Sequence, residues 1–281
     1  MNNMSDQLPV SNLHCAIYLL SIIQQNNSLS AVTTAFYSLR YAHCSMGLQS
    51  PTDNGLVKNV MEAAKRRLSK PVVKKEPVTA DILERLYDSR IENASLVDLR
   101  ILSMFLLAYS GFLRSAELLN LTRTDIVFYV SYMTVFIEKS KTDIYRDGAW
   151  LVISRLHSKL CPVECLDRYF KAADILPDSS EYIFRNLSKC YNGYKLRDEN
   201  KSMSYTRLRE LFKEALSPFV PDIGRFGLHS LRSGGATAAA NNGIPDRMFK
   251  RHGRWRSENA KDGYVKDSIL KRMEVSLSLN L

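Results

Sequence analysis

Apolar positions recur at helical spacing through the first seventy residues. Leu13, Ala16, Ile17, Leu20 and Ile23 mark one stripe, and Val32, Ala35, Phe36, Leu39 and Ala42 a second. Val57, Val60, Met61, Ala64 and Leu68 mark a third. Steps of three and four gather such residues on one helix face, so residues 1–70 predict an N-terminal all-α bundle. Gly47 suits the C-cap of its second helix. The third runs into KRRLSKPVVKKEP, where Pro71 and Pro77 flank charged residues without periodicity, the pattern of a basic interdomain linker over 71–78.

From Thr79, a good N-cap, the helical pattern resumes. Leu96 to Tyr109 is apolar on most sides and predicts a central buried helix. The period then changes. DIVFYV, YMTVFIEKS and AWLVIS are rich in β-branched and aromatic residues, which predicts a three-stranded antiparallel sheet. Its second turn carries Lys139, Lys141, Asp143 and Arg146. Helices return at 162–174 and 205–216. The fold class expected is mainly α with a small three-stranded antiparallel sheet, residues 79–281 forming an α+β domain behind the bundle.

Composition narrows the partners. A chain of 281 residues with 45% hydrophobic content can bury a real core. The formal charge of +10 suits a polyanion, either nucleic acid or an anionic membrane. No apolar run reaches the ~18 residues of a spanning helix, the best being broken by Ser103, Ser110 and Arg114. MNNMSDQ lacks the basic start of a signal peptide. The reading is therefore no membrane and an intracellular protein. Five cysteines without framework spacing fit reduced thiols. His157, Cys161 and Cys165 are spaced by four but lack the fourth ligand of a zinc site, and CPVECLDRYF reads as an ordinary helix start with Pro at its first position. No metal and no cofactor are expected.

The candidate chemistry lies near the C-terminus. His229 and Arg232 in HSLR are three apart, hence on one helix face. Trp255 and Tyr264 follow in RHGRWRSENAKDGYV. GFLRSAELLNL adds Arg114 and the sheet turn adds Lys141. Attack of a phenol on a phosphodiester must neutralise two non-bridging oxygens, and guanidinium forks do so without losing charge. A phenol of ordinary pKa, about 10, needs a neighbouring base. A lysine can protonate the departing alkoxide, and an indole N–H is a donor only. Singly, each residue has an ordinary structural explanation; their conjunction in this order carries the reading.

That order resembles the tyrosine recombinase (phage integrase) family. The motif's arginine followed three residues on by Glu is matched by Arg114 and Glu117, its hairpin lysine by Lys141, its HxxR by His229 and Arg232, and its His or Trp nine residues before the tyrosine by Trp255 and Tyr264. The likeness covers residues 79–281 well and the first 70 in general character. GRWxS with a tyrosine downstream is more similar to transposon-borne recombinases of eukaryotes than to bacterial chromosome-resolution enzymes. The resemblance implies a site-specific recombinase that works without metal or ATP. Tyr264 would form a 3′-phosphotyrosyl link, Arg114 and Arg232 would hold the phosphate, and Lys141 would protonate the 5′ oxygen. His229 would handle the tyrosine proton, and Trp255 would pack and donate. It also implies a clamp on double-stranded DNA, as a dimer on one site and a homo-oligomeric tetramer on two, in the nucleus if the host is eukaryotic. Lys139 and Arg146 share the turn, so Lys139 stays open beside Lys141. The apolar tail from Ile269 to Leu279 serves either its own core or a neighbouring protomer. Two other readings use the same groups. One is a domesticated DNA-binding protein that does not cleave, disfavoured by six intact positions; the other is a type IB topoisomerase.

Overall fold

The structure is a computed structural model and describes residues 8–25, 28–71, 73–139, 147–191 and 193–279. The chain divides into two compact units, Met1–Lys74 and Lys75–Leu281.

The first unit holds α1 (Asn12–Gln25), α2 (Leu29–Ser45) and α3 (Gly55–Leu68). Its core joins Cys15, Ala16, Leu19 and Ile23 of α1 to Val32 and Phe36 of α2 and to all five expected positions of α3. The buried face of α1 is rotated from the expected stripe: Leu13 and Ile17 are more than half exposed, while Cys15 and Leu19 are sealed. Apolar residues surround α1 on nearly every side, so periodicity alone does not choose which stripe the partner helices cover.

The second unit begins with residues 75–78, which the sequence pattern assigns to a linker. Here they lie against their own unit: the Glu76 and Val78 N–H groups donate to the Arg225 and Ser230 carbonyls at 2.8 and 2.9 Å, and Val78 is buried. Then come α4 (Ala80–Ile91), capped by the Thr79 hydroxyl, and α5 (Leu96–Ser110), opened by a Ser95–Asp98 capping box. Every residue from Leu99 to Ala108 is buried, so α5 is the axis of the unit. Polar Ser103 sits there because its hydroxyl donates to the Cys165 carbonyl at 3.0 Å.

After α6 (Ser115–Leu119), strands β1 (Ile126–Phe128), β2 (Tyr132–Ile137) and β3 (Ala149–Ser154) pair antiparallel in that order, with Val135 opposite both Ile126 and Leu151. Met133, Val135 and Ile137 point inward at the expected period of two. Lys141, Asp143 and Arg146 lie outside the described residues. Next come α7 (Pro162–Ala172), the hairpin β4 (Leu187–Cys190) and β5 (Gly193–Leu196), and α8 (Tyr205–Leu216). The chain closes with α9 (His229–Asn241), α10 (Asp246–Gly253), α11 (Glu258–Asp262) and α12 (Ile269–Leu277). Among the described residues no helix is long and apolar enough to cross a membrane.

Candidate active site

The site is assembled at the C-terminal end of α5. Gly111 closes that helix, and Phe112 follows with a φ of 47°. A left-handed backbone costs a bulky residue about 1–2 kcal/mol. It persists because the Phe112 ring sinks into a separate aromatic cluster with Ala236, Phe249 and Trp255, which turns its carbonyl back toward the arginines. Two residues on, Arg114 becomes the N-cap of α6. A cation there opposes the helix dipole. Glu117, three residues along, resolves the conflict: one carboxylate oxygen accepts the Arg114 backbone N–H at 2.9 Å, and the other accepts its guanidinium at 2.7 Å.

Glu117 is buried, and three arginines surround it. Arg254 donates to it at 2.8 Å, and the Arg232 guanidinium stands 3.9 Å away. Burial alone would raise its pKa, but the charge of Arg254, the Arg114 N–H and the charges of Arg114 and Arg232 outweigh it and hold the carboxyl below its usual range.

Arg232, one turn into α9, is wholly buried. Its guanidinium donates to the Phe112 carbonyl and, at 2.7 Å, to the Gly253 carbonyl. Its central carbon lies 5.0 Å from the Trp255 ring and 4.8 Å from the Tyr264 ring. Burial, then repulsion from Arg114, pushes its pKa down to about 10, so it stays cationic at neutral pH. Such depth requires α9 to lie very close to its neighbours. A side chain at Gly234 would strike the Val78 carbonyl, and one at Gly235 the Tyr109 carbonyl and the Phe112 ring. The glycine pair of HSLRSGG is thus a packing requirement of the site.

The last wall is the segment after α10. Arg254 adopts a φ of 56° and turns the chain so that the Trp255 indole folds back over Gly253, where a Cβ would collide with it. Trp255 packs on Phe249, Phe112 and Tyr264, at 5.0, 5.9 and 5.7 Å between ring centroids. Its indole N–H is buried with no hydrogen-bond partner. An orphan donor beside the fixed Arg232 cation is what a phosphate oxygen would satisfy. Tyr264 is half-buried, and its carbonyl accepts from Thr237 of α9 at 3.4 Å.

Arg114, Arg232, Trp255 and Tyr264 therefore meet in one place. His229 stands in the same turn of α9 as Arg232, with its side chain exposed. Lys141 lies outside the described residues. Lys139, two residues beyond β2, lines a cavity of about 350 Å³ with Glu117, Asp125 and Glu138. Sequence reasoning assigned no role to Arg254, although it stands inside GRWRS. Its one signal there was an arginine wedged between glycine and a buried aromatic. His252, also without an assigned role, is held below its ordinary pKa by burial, and its neutral ring bonds the Ser110 carbonyl at 2.7 Å. Cys161 caps α7, its sulfur accepting from Glu164 N–H at 3.5 Å, and Cys165 packs on Ser103. Among the described residues no group of His, Cys, Asp or Glu is placed to hold a metal.

Residues 76–269 match the Phage integrase family. The chain is 26% identical over 254 residues to an integrase/recombinase described as a XerD homolog from Selenomonas ruminantium, covering 88% of this chain and 72% of that protein. Its fold is shared with the XerH site-specific recombinase in a post-cleavage complex with palindromic difH, at a TM-score of 0.64 and 16% identity over 98% of this chain and 73% of that one. It is shared also with a lambda integrase tetramer bound to a Holliday junction, at a TM-score of 0.52 and 19% identity over 93% and 67%.

Proposed function

Because this chain belongs to the phage integrase family, we propose that it is a site-specific DNA recombinase that cuts and rejoins double-stranded DNA through a 3′-phosphotyrosyl intermediate. The observation that carries this is the stack of Tyr264 and Trp255 on the buried Arg232 guanidinium, beside Arg114 held by Glu117. The Tyr264 hydroxyl attacks phosphorus, its proton passing to His229. The P–O5′ bond breaks, and the 5′ oxygen takes a proton from Lys141. Arg114, Arg232 and the Trp255 N–H stabilise the charge that gathers on the non-bridging oxygens. Attack by a second 5′ hydroxyl reverses these steps and frees the phenol. The broken bond is stored as the phosphotyrosine, so no ATP is needed, and the guanidiniums supply the charge that a metal would otherwise bring.

Arg232 is covered by the very ring that attacks, which supports a resting arrangement in which the Tyr264 ring shifts as the phosphate arrives. Exposed Ile269 and Leu270 on α12 suit docking on a neighbouring protomer, and with it dimers on one site and tetramers on two. The GRWRS phrase supports a transposon-borne enzyme of eukaryotic type, acting in the nucleus of such a host. The helical first unit serves as a second DNA-binding module.

The test is a nicked suicide duplex in which the short fragment carrying the released 5′ hydroxyl diffuses away after cleavage. The wild-type protein accumulates a covalent adduct, and Tyr264→Phe binds the duplex but forms none. An adduct on the phenylalanine variant would assign the nucleophile elsewhere.

A further inference from the structure

Arg254 spends its terminal donors inside the protein. One terminal nitrogen reaches the Gly111 carbonyl at 3.2 Å and the His252 carbonyl at 2.9 Å. The other reaches the Phe112 carbonyl at 3.0 Å and Glu117 at 2.8 Å. Both terminal nitrogens are thus held by protein acceptors and the side chain is 6% exposed, so in this structure its charge is spent on Glu117 rather than displayed at the surface of a basic segment. What it does instead follows from Glu117. That carboxylate has two arginines within 3 Å, Arg114 and Arg254, and the third, Arg232, waits at 3.9 Å. Arg232 and Arg254 also share one acceptor, the Phe112 carbonyl.

Take Arg254 away and the buried carboxylate loses a direct partner. The nearest replacement is Arg232, whose charge the phosphate needs, and an unpaired buried carboxylate would draw it in. We propose that Arg254 is a positioning residue: by saturating Glu117 and bracing the Phe112 carbonyl, it keeps Arg114 and Arg232 committed to the scissile phosphate. This rests on the recombinase reading above. Arg254 also ties the segment carrying Trp255 and Tyr264 to the α5–α6 turn carrying Arg114, so one residue joins both halves of the cradle.

The test measures adduct formation on the suicide duplex against pH, together with duplex affinity. Wild-type adduct formation tests the recombinase reading by itself, and the variants then test the proposal. In Arg254→Met, adduct formation at saturating DNA slows about a hundredfold, as expected for misplaced reacting groups, while affinity changes less than about threefold. A new acid limb appears as well. Glu117 is faced by Arg114 from its own helix and by Arg232 and Arg254, with Asp125, Glu138 and Lys139 across the cavity. Without Arg254 its carboxyl takes a proton more readily, releases Arg114, and the rate falls as pH falls. Glu117→Gln in the same background abolishes that limb. Arg254→Lys, which keeps the charge but not the fork, is intermediate in rate and guards against a methionine variant that does not fold. The proposal is overturned if affinity falls in step with rate, which would make Arg254 a DNA contact. An unchanged rate and pH profile in folded Arg254→Lys or Arg254→Met would overturn it equally.

Discussion

Phe112 shows how one residue serves two layers of the site. Its left-handed backbone presents a carbonyl to Arg232 and Arg254, while its ring anchors the Trp255 cluster. Arg232 depends on that carbonyl and on Gly253 for its orientation, so charge alone does not define its role. Arg232→Lys retains the cation but replaces the planar fork by one rotating donor group. Adduct formation should fall by about 10²–10³, the range seen when one preorganised donor to a developing oxyanion is lost. Duplex affinity, measured by gel shift, should stay near wild type, since a wholly buried residue contributes little to the encounter with DNA. A variant that cleaves normally would show that positive charge near Tyr264 is all the chemistry requires.

Among the elements, α9 is the one on which the site turns. Its glycine pair lets the helix press against Val78 and the end of α5, and that contact sinks Arg232 beneath Tyr264. Gly235→Ala places a methyl group against the Tyr109 carbonyl and the Phe112 ring, an overpacking that should cost about 1–3 kcal/mol. Urea unfolding checks it; a midpoint equal to wild type would mean that α9 can retreat without cost. The strongly periodic elements were legible beforehand. Thr79 caps its helix, Val163 and Leu166 of α7 are buried, and β2 alternates as its sequence demands. The β4–β5 hairpin was not legible, because LSKC and GYKL are short and hold no β-branched residue.

At the scale of the whole molecule, the excess of ten positive charges should appear as counterion release. Plotted logarithmically, duplex affinity should fall steeply and linearly with salt; a flat line would remove phosphate contacts as the source of binding. Assembly has its own surface. Ile269, Leu270, Val275 and Leu277 of α12 are each about 70% exposed or more, an apolar display that a lone chain leaves in water. Leu270→Asp with Met273→Asp should leave single-site binding intact and abolish complexes joining two DNA sites, as sedimentation would show. Persistence of those paired complexes would mean that protomers meet elsewhere.

By itself the sequence determined the elements with strong periodicity, the basic character of the chain, and the residue types and order on which the proposed phosphate chemistry rests. These depend on local spacing and on side-chain chemistry, which a linear chain displays directly. Only the tertiary structure decided which stripe of α1 is buried, that residues 75–78 pack on their own unit, and that Arg232 lies beneath Tyr264 with its donors on two carbonyls. It alone gave Arg254 a task, through bonds to residues 137 and more positions away in the chain. Such contacts leave no period in the sequence, because they arise where separate elements converge and a buried carboxylate must be neutralised by whatever cations reach it.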